Sequence, residues 1–310
     1  MSTIFHTTEQ DSHTRCHEGM QASTPASSIS WTCFSCPQSS KRLLKQGGVA
    51  QRTSVGARSF RDDDGIPITE YLSQGDETLP PLVEVTLQIG GKDVRVVKPP
   101  GTDDLWGWYE QTGNMEADPS WGRIWETSRA LSQGIFLGTD KIPELKGKRV
   151  VEVGCGLGLA GITAAMHCDA SVIFCDREPL AIHCALSSAA VNGLKVVGVG
   201  DAGEDRSCAG ALLDWSNPQS LGQPVDVVLG ADCLYDPGTA DLLAGCCYEL
   251  VAGKGTVVLA EPAKERALGC RDAFLAAANA RGALSRAEVV SIPPEFESDP
   301  PSVLVIVCWE

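Results

Sequence analysis

Apolar and polar residues alternate with period two in "LVEVTLQIGGKDVRVV", which starts at Leu82, and the Gly90-Gly91 pair at its centre predicts a β-hairpin. The alternation then gives way to "KPPGTDDLWGWYEQTGNMEADPSWGRIWETSRALSQGIF". This stretch holds four of the seven tryptophans and passes through turn residues into a helix predicted from about Ser120 through Leu131. After Lys146, short continuous apolar runs take turns with helical periods. Strands at Arg149 to Val153, Ser171 to Cys175, Val225 to Gly230 and Gly255 to Ala260 are followed by helices at Leu157 to Cys168, Pro179 to Asn192, Gly238 to Val251 and Ala263 to Ala280. Runs such as "SVIFCD" and "VDVVLGA" are apolar on both faces, the pattern of buried parallel strands under helices. Two further strands, Glu288 to Ile292 and Val303 to Trp309, close the chain as an expected antiparallel pair around "PPEFESDPP".

Composition changes the picture at the start of the chain. Of 310 residues, 43% are hydrophobic, enough for a sizeable core, and the formal net charge is -15. Residues 1–75 carry seven basic and seven acidic residues, so the whole excess of negative charge falls on residues 76–310. The first segment is Ser- and Thr-rich, interrupted by Pro25, Pro37 and Gly47-Gly48, and free of acids from Gly19 to Arg61. It reads as a disordered tail or an organelle transit segment, which leaves a cytoplasmic protein and a chloroplast or mitochondrial one both open. Thirteen cysteines without regular spacing fit reduced thiols better than a disulfide scaffold, and Cys33 with Cys36 has no second ligand pair to complete a metal site. No metal is expected. An acidic domain argues against nucleic acid as a partner, and no apolar run is long enough for a membrane span.

The candidate chemistry begins at "VVEVGCGLGLAG", residues 150–161, a strand running into closely spaced glycines and then a helix. Gly156, Gly158 and Gly161 fit a dinucleotide fingerprint, whereas Glu152 with Gly154, Gly156 and Gly158 fits ExGxGxG. A carboxylate just before the loop is awkward beside a pyrophosphate and useful beside a cationic ligand, which favours S-adenosylmethionine over NAD. Asp176, at the end of the next strand, is placed to accept hydrogen bonds from ribose hydroxyls, and Glu178 reads as a capping residue. In "LLDW", Leu213 and Trp215 offer apolar walls for an adenine and Asp214 an acceptor for its amino group. "GADCLY" puts Ala231 and Asp232 at the carboxyl end of a strand with Tyr235 a turn beyond, where they can align a nucleophilic amine. His167 and His183 fall within helical patterns and read as structural or exposed.

With these residues in order, the chain resembles the methyltransferase-16 group of class I S-adenosylmethionine-dependent methyltransferases over about residues 80–310. The resemblance rests on Trp121 with Trp125, the ExGxGxG loop, Asp176, Leu213-Asp214-Trp215 and Asp232-Cys233-Leu234-Tyr235. It implies an α/β fold: a Rossmann-like, mostly parallel seven-stranded sheet with helices on both faces, an antiparallel C-terminal strand pair and a preceding hairpin. It further implies that Trp125 and the glycine loop hold S-adenosylmethionine, that Asp176 binds its ribose, and that Asp232 and Tyr235 face the acceptor. The expected activity is N-methylation of a protein lysine by a protein that can act as a monomer, with a basic protein as an electrostatically suitable partner. Small-molecule N-methylation, protein histidine or arginine methylation and a non-catalytic binding module stay open as alternatives.

Overall fold

The computed structural model describes residues 79–203, 206–218, 221–292 and 300–310. The expectations for residues 1–75, including Cys33 and Cys36, lie outside the described residues, as does most of the "PPEFESDPP" connection. The predicted hairpin is present as β1 (Val83–Ile89) paired antiparallel with β2 (Lys92–Lys98). It then continues into a helix that the tryptophan-rich pattern concealed. This α1 (Thr102–Thr112) buries only Leu105 and Tyr109, so it shows no broad apolar stripe in sequence, yet Asp103 and Asp104 suit its N-terminal dipole and Gly113 caps its end.

The helix expected from Ser120 begins later. Asp118 caps a single 3-10 turn, Pro119–Gly122, by accepting from the Ser120 N–H, and the chain is then extended through Trp125 before α2 (Glu126–Leu137) starts. There follow β3 (Arg149–Val153), α3 (Leu159–Cys168), β4 (Ser171–Asp176), α4 (Pro179–Val191), β5 (Lys195–Val196), β6 (Ser207–Leu212), β7 (Val227–Ala231), α5 (Pro237–Leu250), β8 (Gly255–Pro262), α6 (Cys270–Arg281), β9 (Leu284–Ile292) and β10 (Ser302–Trp309).

The sheet order is β5-β6-β4-β3-β7-β8-β10-β9, with β5 through β8 mutually parallel and β10 antiparallel to both its neighbours. Seven strands have five or more residues, and the two-residue β5 makes an eighth at the edge. The terminal pair is therefore antiparallel, as expected, but the last strand is inserted between β8 and β9 instead of lying at the edge. Side chains alternate cleanly across the sheet. Val150, Val172, Phe174, Leu229 and Leu304 join one core under α2, α3, α4 and the hairpin, while Val151, Ile173, Val228, Val257 and Val305 join the other under α5 and α6.

Chain direction across the sheet reverses at β3, whose neighbours are β4 on one side and β7 on the other. Parallel strands leave a crevice beyond their carboxyl ends at such a switch point. There, the loops after β3, β4, β6, β7 and β8 converge. No helix among the described residues is long and apolar enough to cross a membrane.

Candidate active site

A cavity of about 310 Å³ opens at this switch point. Its walls include Glu152, Gly154 and Gly156 after β3, Asp176 and Glu178 after β4, and Leu213, Asp214 and Trp215 after β6. Ala231, Asp232 and Tyr235 come from the β7 end, Trp125 from the lead-in and Arg266 from the loop after β8. Every site residue expected from sequence lines it except Gly158. Gly158 instead opens α3 in a left-handed conformation, where an added Cβ would sit 2.8 Å from the Ala185 Cβ and 2.9 Å from Phe174. Its role is close packing of α3 against β4 and α4, which is why the sequence needs glycine there.

Three donors of the glycine loop are bonded within the protein. Cys155 N–H donates to the Cys175 carbonyl, Gly156 N–H to Asp176 Oδ2, and Gly158 N–H to the Cys155 carbonyl. Gly161 N–H donates to Glu152 Oε2 at 2.8 Å, so a buried carboxyl already meets the positive end of α3. A dinucleotide site needs those N–H groups for pyrophosphate, and here they are taken. At Gly156 the backbone lies against the Trp121 carbonyl, 3.1 Å from where a Cβ would stand, so the lead-in closes directly over the loop.

Asp176 accepts from Gly156 N–H through one oxygen and from Glu178 N–H, at 3.0 Å, through the other. Each carboxylate oxygen keeps a further lone pair for a ligand hydroxyl. Desolvation raises the Asp176 pKa, against which those two backbone N–H bonds act. Glu178 differs from its sequence reading. It starts α4 without a side-chain cap, and its carboxylate turns to the cavity wall and accepts from the Tyr109 hydroxyl at 3.2 Å. Tyr109 in turn accepts the Trp121 indole N–H at 2.9 Å. This Trp121-Tyr109-Glu178 chain fastens α1 and the lead-in across the cavity, and only tertiary contact reveals it. Trp106, more exposed, hydrogen-bonds Glu110, and Trp108 packs against Tyr109 with centroids 5.3 Å apart, so both belong to the lead-in's own packing.

On the β6 side, Leu213 is buried and its N–H donates to the Asp176 carbonyl, while Trp215 lies over Gly154. Asp214 Oδ1 is held by the Ser216 N–H and hydroxyl, bonds that lower its pKa.

The acceptor side is built around a strained residue. Asp232 follows β7 with φ of 58°, the left-handed region that an aspartate tolerates better than most side chains. Its N–H donates to the Ala260 carbonyl, and the next two N–H groups, of Cys233 and Leu234, both donate to Glu261 Oε1 at the end of β8. Buried Glu261 thus ties the turn that aims Asp232. The Asp232 carboxylate is 4% exposed and receives Arg266 in a bidentate pair, Nε to Oδ1 and Nη2 to Oδ2. The Arg266 guanidinium also lies over the Trp125 ring at 4.6 Å, as does that of Arg123. Tyr235 stands half-exposed at the mouth. The expected α6 extent, from Ala263, hid Arg266: residues 263–269 are a loop, and Glu265 caps the later helix start by accepting from Gly269 N–H and Arg271 N–H.

Burial pushes both Glu152 and Glu261 up to about 8. A folded-state value above the unfolded one, near 4.5, means that folding takes up protons; the stabilisation is full below the unfolded value and is lost as pH rises through about 8. Buried His183, drawn down to about 4, is neutral in both states above its ordinary 6.5 and adds no slope there. The thermal midpoint should therefore fall between about pH 6.5 and 8, with each carboxyl contributing up to about 1.4 kcal/mol per pH unit. Glu261→Gln should remove about half of that slope in a melting series; a flat profile for the native chain would show the two carboxyls ionised. The two helical histidines lie outside the cavity, His183 buried in α4 and His167 edge-on to Phe136 at 4.9 Å. Among the described residues no cluster suits a metal ion.

Comparison with known proteins adds sequence similarity to this geometry. Residues 110–276 match a family model described as lysine methyltransferase. Protein N-lysine methyltransferase METTL21A of Danio rerio is 33% identical over 138 residues, 44% of this chain and 58% of its own length. The electron transfer flavoprotein beta subunit lysine methyltransferase of Xenopus laevis is 28% identical over 210 residues, 67% of this chain and 71% of its own. The chain thus spans somewhat more than half the length of the Danio rerio relative. A solved chain from Streptococcus mutans shares the fold at a TM-score of 0.50 and 11% identity, covering 75% of this chain and 57% of its own.

Proposed function

The chain belongs to the lysine methyltransferase family, and from that premise we propose that it transfers a methyl group from S-adenosylmethionine to the side-chain amine of a lysine in a partner protein. The observation that carries this reading is the single cavity into which the glycine loop, Asp176, the Leu213-Asp214-Trp215 segment and Asp232 with Tyr235 all open.

The residues fit the methyl donor. Asp176 retains lone pairs for ribose hydroxyls, Leu213 and Trp215 form an apolar wall for a purine, and Gly154 and Gly156 bring the loop backbone to the cavity wall. The loop N–H groups bonded within the protein disfavour a diphosphate and are no obstacle to an uncharged nucleoside. Asp214, whose pKa is lowered by its Ser216 bonds, lends the wall a negative charge suited to a ligand bearing ammonium and sulfonium charge, and Glu152 offers a carboxyl that can hydrogen-bond it. When bound, S-adenosylmethionine supplies an electrophilic methyl group on sulfur.

The chain's own residues then have three tasks. Asp232 draws the acceptor ammonium to the mouth and, once that ammonium has lost a proton to water, accepts an N–H so that the lone pair points into the cavity. Tyr235 and Trp125 wall the entry and narrow the directions from which an amine can approach. The Trp121-Tyr109-Glu178 chain holds the lead-in closed and keeps water from the reacting centre. Asp232 and Tyr235 are thus the catalytic residues of this reading.

Incubation with labelled S-adenosylmethionine and a cell lysate, followed by mass spectrometry at residue resolution, should place the label on lysine in one or a few proteins. Label on small amines alone, or on histidine or arginine alone, would overturn the lysine assignment. Binding of neither S-adenosylmethionine nor S-adenosylhomocysteine would mark a non-catalytic module. For location, the reading is a cytoplasmic protein, and the acid-free stretch from Gly19 to Arg61 is what supports the alternative of delivery to a chloroplast or mitochondrion.

A further inference from the structure

The acceptor-side carboxylate already has a cation on it. Both oxygens of Asp232 are bound by Arg266, whose side chain is 39% exposed while that of Asp232 is 4% exposed, so an entering ammonium meets the guanidinium first. A guanidinium fork matches a carboxylate in two parallel bonds, where an ammonium acts as a point charge, so a lone lysine is poorly equipped to displace it.

What happens to Arg266 on displacement decides which lysines succeed. Its loop is fixed by Glu265 on the Gly269 and Arg271 N–H groups and by the Arg271 guanidinium on the Ala263 carbonyl, and its own guanidinium rests on Trp125. Once parted from Asp232 it faces two other carboxyl groups, those of Glu126 and Glu261. Glu126 already shares one oxygen with Arg123 at 3.0 Å in a half-exposed pair. Glu261 is buried and holds the Cys233 and Leu234 N–H groups. Arg123 itself brings a second positive charge to the same indole. A bare ammonium on Asp232 would therefore leave Arg266 to compete with Arg123, a like charge, for Glu126, whereas an acceptor that carries an ammonium and a carboxylate exchanges one ion pair for two and strands neither partner.

We propose that Arg266 selects the acceptor, holding Asp232 against an isolated lysine and yielding it to a lysine with an acidic neighbour in the partner protein. This rests on the methyl-transfer reading above and names its substrate class. The acidic fold can still attract a basic protein over a Debye length of about 10 Å, whereas the contact at the mouth is decided within a few ångströms.

The test uses the full chain saturated with S-adenosylhomocysteine and two capped tripeptides, acetyl-Glu-Lys-Glu-amide and acetyl-Gln-Lys-Gln-amide, titrated by calorimetry. The native protein should bind the acidic-flanked peptide about tenfold more tightly. Arg266→Met should abolish the difference and bind the neutral-flanked peptide at least as well as the native protein does. Arg266→Lys, which keeps the charge but loses the fork, should retain part of the preference, and melting curves of both variants establish that they fold. Equal binding of the two peptides by the native protein, or a preference that survives Arg266→Met, would overturn the proposal. If no variant binds either peptide while S-adenosylhomocysteine still binds, the selection by Arg266 fails and the cofactor reading stands; loss of cofactor binding in the native protein removes both.

Discussion

Asp232→Asn should lower methyl transfer to protein lysine by about 100-fold or more while leaving S-adenosylmethionine affinity within about twofold. The substitution is chosen for the backbone. Asp232 sits at φ of 58°, and asparagine is the residue next to glycine that occupies this region most readily, so the turn after β7 keeps its shape. The Asp232 N–H can still reach the Ala260 carbonyl, and Cys233 and Leu234 remain on Glu261. What disappears is the negative charge that attracts the acceptor ammonium and fixes Arg266. Alanine would add a left-handed strain of about 1–2 kcal/mol and confuse chemistry with folding. Initial rates with labelled donor, paired with a cofactor titration, decide the matter: an equal loss of binding and turnover would give Asp232 a cofactor or folding role instead.

Gly158→Ala should lower stability by about 2–5 kcal/mol. Two penalties coincide there. The residue has φ of 72°, and its new Cβ would fall 2.8 Å from the Ala185 Cβ and 2.9–3.0 Å from the Phe174 ring, atoms with no freedom to retreat in a close-packed core. Gly193→Ala separates the two, since Gly193 has φ of 79° but nothing within 4 Å of the added carbon. It should cost only the backbone strain, about 1 kcal/mol. Denaturant melts of both variants check this. Equal, small losses would mean that α3 and α4 move apart easily and that the packing at Gly158 is looser than the geometry requires.

These two positions also show how far the sequence could be read. The continuous apolar runs of β3, β4, β7 and β8 identified a parallel sheet because strands buried on both faces admit almost no polar residues. The loop after β3 and the Asp232-Tyr235 segment stood out because chemistry at the carboxyl ends of parallel strands uses residues foreign to those runs. By contrast, α1 escaped notice because only Leu105 and Tyr109 face the core, and α2 began after Trp125 because residues 123–125 stay extended over the cavity. Gly158 was grouped with Gly154 and Gly156 by spacing alone, although its left-handed turn serves the contact with Phe174 and Ala185.

By itself, the sequence determined the hairpin, the four strand–helix units from β3, β4, β7 and β8, the cofactor-side loop and the acceptor-side carboxylate, all of which depend on local pattern and on residues within a few positions of one another. Tertiary structure alone decided what those groups touch. Arg266 reaches Asp232 across 34 positions, Tyr109 reaches Glu178 across 69, and β10 enters the sheet between β8 and β9. Such pairings depend on where the packed sheet brings distant loops together, and a one-dimensional pattern of polar and apolar residues carries no record of that distance.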